Sequence, residues 1–215
     1  MLEKEKNTSP LSRSEQKNKA ITDAAKATFL DVGFDLASMD KIASVANVSK
    51  RTVYSHFISK EALFEETVKT ICTGKKVAME ITMDLTNPID VVLQDLGTEF
   101  LSQIFDKETT AMLRILVAQA AQFPKLGKIF LESGPEPATD ILAGYFQEQV
   151  SKGIITIENP KEAAGSFFAS LFGAHFIEVL VGAKAAPDPS DYPKMVKDVV
   201  DRFLNGARVR VSQAN

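Results

Sequence analysis

In the run SKRTVYSH at positions 49–56, seven of the eight residues can donate a side-chain hydrogen bond: Ser49, Lys50, Arg51, Thr52, Tyr54, Ser55 and His56. Hydroxyl, ammonium, guanidinium, phenol and imidazole donors packed this densely suit recognition, because phosphate oxygens and the edges of bases are rich in acceptors. Catalysis would need other neighbours. The chain has two histidines and one cysteine, Cys72, which shares an apolar stripe with Val68 and Ile71, where a thiol is inert. It has no glycine-rich phosphate loop and no His/Cys ligand cluster, so no catalytic residue, metal site or cofactor is expected, and the protein is not expected to be an enzyme.

Donors on one face need a rod narrow enough for a groove and a brace to hold it there. The stretch SMDKIASVANVSKRTVYSHF, positions 38–57, supplies both as two short amphipathic helices joined by a three-residue turn at Asn47, Val48 and Ser49. Ile42, Val45, Val48, Val53 and Phe57 are the expected apolar seam, and Ala43 is small where the helices must cross closely. Asn47 stands where a left-handed backbone is often needed, and Ser49 is placed to cap the second helix.

Charge is divided along the chain in the sense this reading requires. Residues 1–60 carry ten Lys or Arg and seven Asp or Glu, and residues 61–215 carry fifteen and twenty-one, a +3 head on a −6 body within a net charge of −3. The opening MLEKEKNTSPLSRSEQ has no apolar core and reads as a solvated tail rather than a signal peptide. A single cysteine excludes an internal disulfide framework and suits a reducing cytoplasm, the expected location.

Helical periodicity runs through the whole chain, and IITIE at 154–158 is the one β-like patch, too short to make a sheet. Breaks are expected at Gly33-Phe34-Asp35, Ser59-Lys60, Asn87-Pro88, Phe123-Pro124, Ser133-Gly134-Pro135, Asn159-Pro160 and Ala186-Pro187-Asp188-Pro189, dividing an all-α chain into about nine helices. Asn87 and Asn159 are expected N-caps, with Pro88 and Pro160 at the first helical position.

Residues 19–64, containing AAKATFLDVGFDLASM, DKIASVANVSKRTVYSHF and SKEALF in that order, resemble the N-terminal domain of the TetR family of bacterial transcriptional regulators. The rest resembles the family in length and helical layout, with AMLRILVAQAAQFPKLGKIF similar to regulators of the multidrug-efflux-repressor kind. Asn47 stands where the family usually has glycine, and Arg51 where it often has glycine or a small residue. The resemblance implies a tail at 1–12, a three-helix helix-turn-helix DNA-binding domain at 13–59 and a ligand-binding and dimerisation domain at 60–215. It also implies a homodimeric repressor that a small apolar or amphipathic effector releases from an inverted-repeat double-stranded DNA operator. Ser38 and Lys60, at helix starts flanking the motif, are then expected to meet phosphates, with Ser49, Lys50, Arg51, Thr52, Tyr54, Ser55 and His56 on bases or nearby backbone. The alternative is a helical dimeric module that binds a ligand or protein and carries the motif incidentally.

Two later segments are nearly free of charge. Between Glu108 and Lys125 the only ionisable residue is Arg114, which either reaches solvent or a carboxylate, or anchors a ligand in an apolar cavity with Gln119 nearby. With Phe100, Ile104, Met112, Phe168, Phe172 and His175, these residues form the expected ligand set. In KEAAGSFFASLFGAHFIEVLVGAK, Gly165, Ala169, Gly173 and Ile177 recur every four residues along a mostly small strip that another helix can approach closely. In the family the last two helices form a four-helix dimer bundle, so this strip is the expected dimer interface. The segment is long enough to span a membrane, but His175, Glu178 and the absence of a basic flank oppose insertion, and no membrane partner is expected.

Overall fold

The computed structural model describes residues 12–82 and 84–207. The tail expected at 1–12 therefore lies outside the described residues except for Ser12, which caps the first helix. Its hydroxyl accepts the Glu15 N–H at 3.2 Å while its own N–H donates to the Glu15 carboxylate at 2.7 Å, a reciprocal capping box.

Ten α-helices and one 3-10 turn make up the described residues, with no strand. The chain divides between Thr67 and Val68 into a head and a body, later than the expected boundary at residue 60. The division falls inside a helix, where neither a glycine nor a proline could announce it.

The head is built from α1 (Arg13–Leu36), α2 (Met39–Val45), α3 (Lys50–His56) and the start of α4 (Lys60–Thr82). Gly33 takes φ 76° and ψ 173°, a conformation glycine adopts at little cost, and breaks the regular helix where GFD was expected to. The turn it makes brings Phe34 onto Phe29 and Phe64, with ring centroids 5.0 to 5.8 Å apart, and this triad joins Ile21, Ala25, Ile42, Val53 and Leu63 in the head core. Ile42, Ala43, Val53 and Phe57 are buried as the seam requires, but Val45 is 53% exposed. With Met39, Ile42 and Ala43 facing inward, Val45 lies about 200° round the helix from Ala43 at about 100° per residue, so it faces solvent.

The body contains the rest of α4, then α5 (Ile89–Ile104), α6 (Lys107–Ala120), α7 (Pro124–Ser133), α8 (Pro135–Ser151), α9 (Pro160–Leu180) and α10 (Tyr192–Ala207), which the 3-10 turn Pro189–Asp191 leads into. Asn159 accepts the Glu162 N–H at 3.2 Å and Pro160 opens α9, as its sequence demands. Asn87 does not cap α5. Its N–H donates to the Asp84 carbonyl at 3.2 Å, drawing it into a turn, and Pro88 becomes the N-cap without a side-chain bond. Asp106 makes a break that no glycine or proline marks, its carboxylate accepting both the N–H and the hydroxyl of Thr109 at 2.9 Å. Gly74 is helical and α4 runs through it unbroken, whereas Gly173, at φ 50° and ψ −163°, interrupts α9.

The body core is continuous across α5, α8, α9 and α10, with Leu93, Leu96, Phe146, Phe167 and Val196 fully buried. Its tightest point is the crossing of α5 and α10, where a β-carbon built on Gly97 would stand 2.6 Å from Cγ1 of Val196 and 3.4 Å from Cδ2 of Leu171. Alanine is favoured over glycine in a helix by roughly 1 kcal/mol, so Gly97→Ala would stabilise on propensity alone. The clash should reverse the sign and cost about 1–2 kcal/mol net. Combining it with Val196→Ala should then destabilise less than the two changes separately, and urea unfolding of the four proteins measures this coupling. A Gly97→Ala protein as stable as the parent would mean that the helices can part freely.

Candidate functional site

The donor run lies on α3, and the turn before it explains how so short a helix is held. At the end of α2 the Val48 N–H donates to the Ala43 carbonyl at 3.0 Å and the Asn47 N–H to the Ser44 carbonyl at 3.2 Å, with Asn47 at φ 53°. This is the paired bonding of a Schellman turn, with asparagine supplying the left-handed residue. Ser49 then caps α3, its hydroxyl accepting the Thr52 N–H at 3.1 Å and lying 2.8 Å from the Thr52 hydroxyl. Val53 is the one fully buried residue of α3, while Lys50, Arg51, Tyr54 and Ser55 are exposed and Thr52 and His56 half-buried.

Several donors have local partners. The Ser55 hydroxyl donates to the Thr52 carbonyl at 2.7 Å, and the Lys50 ammonium lies 2.8 and 3.0 Å from the two oxygens of Asp40, whose hydrogen bond and charge raise the Lys50 pKa. Such exposed pairs contribute little to stability, so phosphate can displace Asp40. The Lys50 ammonium also stands 6.0 Å from the Tyr54 ring centre, and the His56 ring sits beside Phe57. Ser38 caps α2, accepting the Lys41 N–H at 3.2 Å.

Lys60 is engaged within the head. Its ammonium donates to the carbonyls of Phe34, Asp35 and Ala37 at 2.7, 3.2 and 3.1 Å and lies 4.4 Å from the Phe34 ring centre. An ammonium has three N–H groups, and here all three are engaged. Lys60 latches the C-terminal end of α1, a role that spacing alone could not reveal because its partners are 23 to 26 residues away.

A second candidate site is a cavity of about 150 Å³ inside the body, walled almost entirely by apolar atoms. A void of this size can hold one benzene-sized ring. Phe100, Ile104, Met112, Phe168 and Phe172 line it, five of the eight residues expected there. The other three do not. Arg114 donates from Nε to the Leu180 carbonyl at 2.8 Å and from Nη2 to the Val179 carbonyl at 2.6 Å, closing the C-terminal end of α9. Gln119 is buried and does not line the cavity, and among the described residues its Oε1 has no hydrogen-bond partner. His175 is 57% exposed, with Nδ1 3.5 Å from the Glu178 carboxylate.

The expected set also omitted α4, whose Ile71, Cys72, Lys75 and Lys76 complete one wall. The stripe of Val68, Ile71 and Cys72 was legible in the sequence, but not which space it faced. Burial pushes the Cys72 thiol up to about 11, partly opposed by the charge of Lys75, which leaves it neutral and unreactive at physiological pH. On α9, Gly165 is half-buried while Ala169, Gly173 and Ile177 are exposed within the single chain, and nothing stands within 4 Å of a β-carbon built on either glycine.

Comparison with known proteins agrees with this arrangement. A family profile described as bacterial regulatory proteins, tetR family, matches residues 21–67, and one described as AefR-like transcriptional repressor, C-terminal domain, matches residues 91–206. The uncharacterised HTH-type transcriptional regulator YvkB of Bacillus subtilis is 25% identical over 88% of this chain and 96% of its own length. A crystal structure of a TetR-family regulator from Mesorhizobium loti superposes with a TM-score of 0.87 at 29% identity, covering 93% of this chain and all of that one. The flavonoid-responsive regulator FrrA superposes with a TM-score of 0.75 at 28% identity, covering 91% and 99%.

The latch geometry generates a test. Lys60→Met should lower the stability of the head by about 1–3 kcal/mol, the cost of leaving carbonyls without a charged donor. It should leave the slope of log affinity for DNA against log salt unchanged. Denaturation and salt-dependent DNA binding measure the two effects separately, and a slope smaller by about one unit would return Lys60 to the phosphates.

Proposed function

The chain belongs to the TetR family of bacterial transcriptional regulators, which are DNA-binding proteins and not enzymes, and on that premise we propose that it is a cytoplasmic homodimeric repressor released from an inverted-repeat operator by a small ligand held in the body cavity. The observation that carries the DNA-binding half is the exposed donor face of α3, fixed by the Ser49 cap and the Asn47 turn. Ser38, Ser49, Lys50, Arg51, Thr52, Tyr54, Ser55 and His56 are the proposed contacts. Arg51 is the best placed of these to read a base, because an exposed guanidinium can bond a guanine edge through two N–H groups. Repression rather than activation is supported by the repressor description of the C-terminal profile.

Dimerisation is supported by the outer face of α9, where Ala169, Gly173 and Ile177 are exposed and apolar or small. A reader of one half-site gains affinity and symmetry by pairing. The effector is proposed to bind among Phe100, Ile104, Met112, Phe168 and Phe172, and the response of FrrA to a flavonoid supports an aromatic ligand. Because α4 is one continuous helix with Ile71, Cys72, Lys75 and Lys76 in the cavity wall, a ligand that displaces this wall acts on the helix that follows the recognition element.

The reading is tested on DNA from the protein's own promoter. Salt-sensitive, sequence-selective retardation of that fragment is expected, and binding no tighter than to random DNA would favour a binding module with an incidental motif. Arg51→Ala should cost about 1–3 kcal/mol at the preferred site and less on random DNA; equal losses on both would make Arg51 a backbone contact only. Ala169→Leu should yield monomers or a weakened dimer in sedimentation, because a strip of small residues has no room for a branched side chain. An intact dimer of unchanged stability would move the interface elsewhere.

A further inference from the structure

The charged lining of the cavity is of one sign. Lys75 and Lys76 both border it, and no carboxylate does. Lys75 Nζ donates to the Gln103 carbonyl at 3.0 Å, and Gln103 Nε2 returns a bond to the Lys75 carbonyl at 3.3 Å, so this ammonium is positioned between α4 and α5. The Glu99 carboxylate lies one step further out, accepting from Gln103 Nε2 at 2.6 Å. Lys76 reaches Glu80 only at 3.6 Å, and both side chains are partly exposed, a loose pair that a closer carboxylate can replace.

The remaining polar groups in the wall already have protein partners. The Thr109 hydroxyl donates to the Asp106 carboxylate at 2.9 Å, and the Thr139 hydroxyl to the Pro135 carbonyl at 2.8 Å. The neutral thiol of Cys72 adds no anion. What the cavity offers a ligand is therefore an aromatic and aliphatic interior with two lysine side chains in its wall.

We propose that the effector is an anionic amphiphile, a carboxylic acid whose apolar body lies against Phe100, Met112, Phe168 and Phe172 and whose carboxylate meets Lys75 and Lys76. This rests on the cavity being the effector site and adds the chemistry of the headgroup. The cavity volume of about 150 Å³ admits one aromatic ring, with a short alkyl chain leading from it to the carboxylate. Desolvation gives the inference its discriminating power: a carboxylate loses more hydration than an alcohol on entering an apolar site. Without fixed cations an alcohol of the same skeleton binds better. An acid that binds better reports the lysines.

The test is calorimetric titration of the full-length protein with 4-phenylbutanoate and with 4-phenylbutan-1-ol at neutral pH. The acid should bind at least about tenfold more tightly, about 1.4 kcal/mol, and its affinity should fall with added salt while that of the alcohol does not. In the Lys75→Met, Lys76→Met double variant the preference should disappear or reverse; Lys76→Gln, which keeps the Lys75 bond to Gln103, should reduce it and serves if the double variant does not fold. An alcohol that matches or exceeds the acid in the unaltered protein overturns the anionic headgroup while leaving the cavity as an effector site. A preference that survives loss of both ammonium groups also overturns it. Failure of both compounds to bind in the millimolar range counts against the cavity reading itself.

Discussion

The head depends on one constraint: α2 and α3 have seven residues each, too few to hold a helix in water. They persist because each buries a small apolar face and because their ends are closed by specific bonds. Ile42, Ala43, Val53 and Phe57 supply the burial, the left-handed Asn47 ends α2, and Ser49 caps α3 four residues after the last residue of α2. Of the rest of α3, Lys50, Arg51, Tyr54 and Ser55 are exposed and Thr52 and His56 half-buried. Lys60 extends the same logic to α1, donating to the carbonyls of Phe34 and Asp35 in its last turn and of Ala37 after it.

The body resolves a different conflict, between close packing and an internal void. At Gly97 the core admits no extra carbon, while the space bordered by α4, α5, α6, α8 and α9 is left unfilled. The composition of α9 follows from facing both. Phe167 and Leu171 enter the packed core, Phe168 and Phe172 line the void, and Ala169 and Ile177 are exposed. A helix apolar on three sides passes the length and composition test for a membrane span, and α9 does so among the described residues. Its central part packs on α8 and α10, which is where a core helix of this composition belongs.

Much of this was legible because it is written in local chemistry. The Asn47 turn, the Ser49 cap and the Asn159-Pro160 start each depend on residues within a few positions of one another, and the structure forms all three. Asn87-Pro88 has the same local signature and failed: Asn87 lies in a turn in which its N–H donates to the Asp84 carbonyl, and Pro88 is the N-cap with no side-chain bond. The missed roles are long-range. Arg114 finds its carbonyls 65 and 66 residues away, and no periodicity in α6 distinguishes a cation that enters a cavity from one that closes a neighbouring helix. Lys60 is the same case at shorter range. For Arg114, an isolated cation in an apolar run signalled that a partner existed, and in the structure that partner is main chain.

That preference for carbonyls bears on how a ligand could act. A ligand shifts a regulator only through a difference in affinity between its two states, and a hundredfold release from DNA needs about 2.7 kcal/mol of coupling per dimer, shared by two sites. Burying one aromatic ring can supply more than that in total, at roughly 25 cal/mol per Å², so the difficulty lies in making the gain state-dependent. The cavity wall on α4 is suited to this, because Lys75 and Gln103 exchange bonds across α4 and α5 and a ligand that engages the Lys75 ammonium competes with the Gln103 carbonyl. The main-chain bond given up is then tied to the same helix whose first turn carries the Lys60 latch.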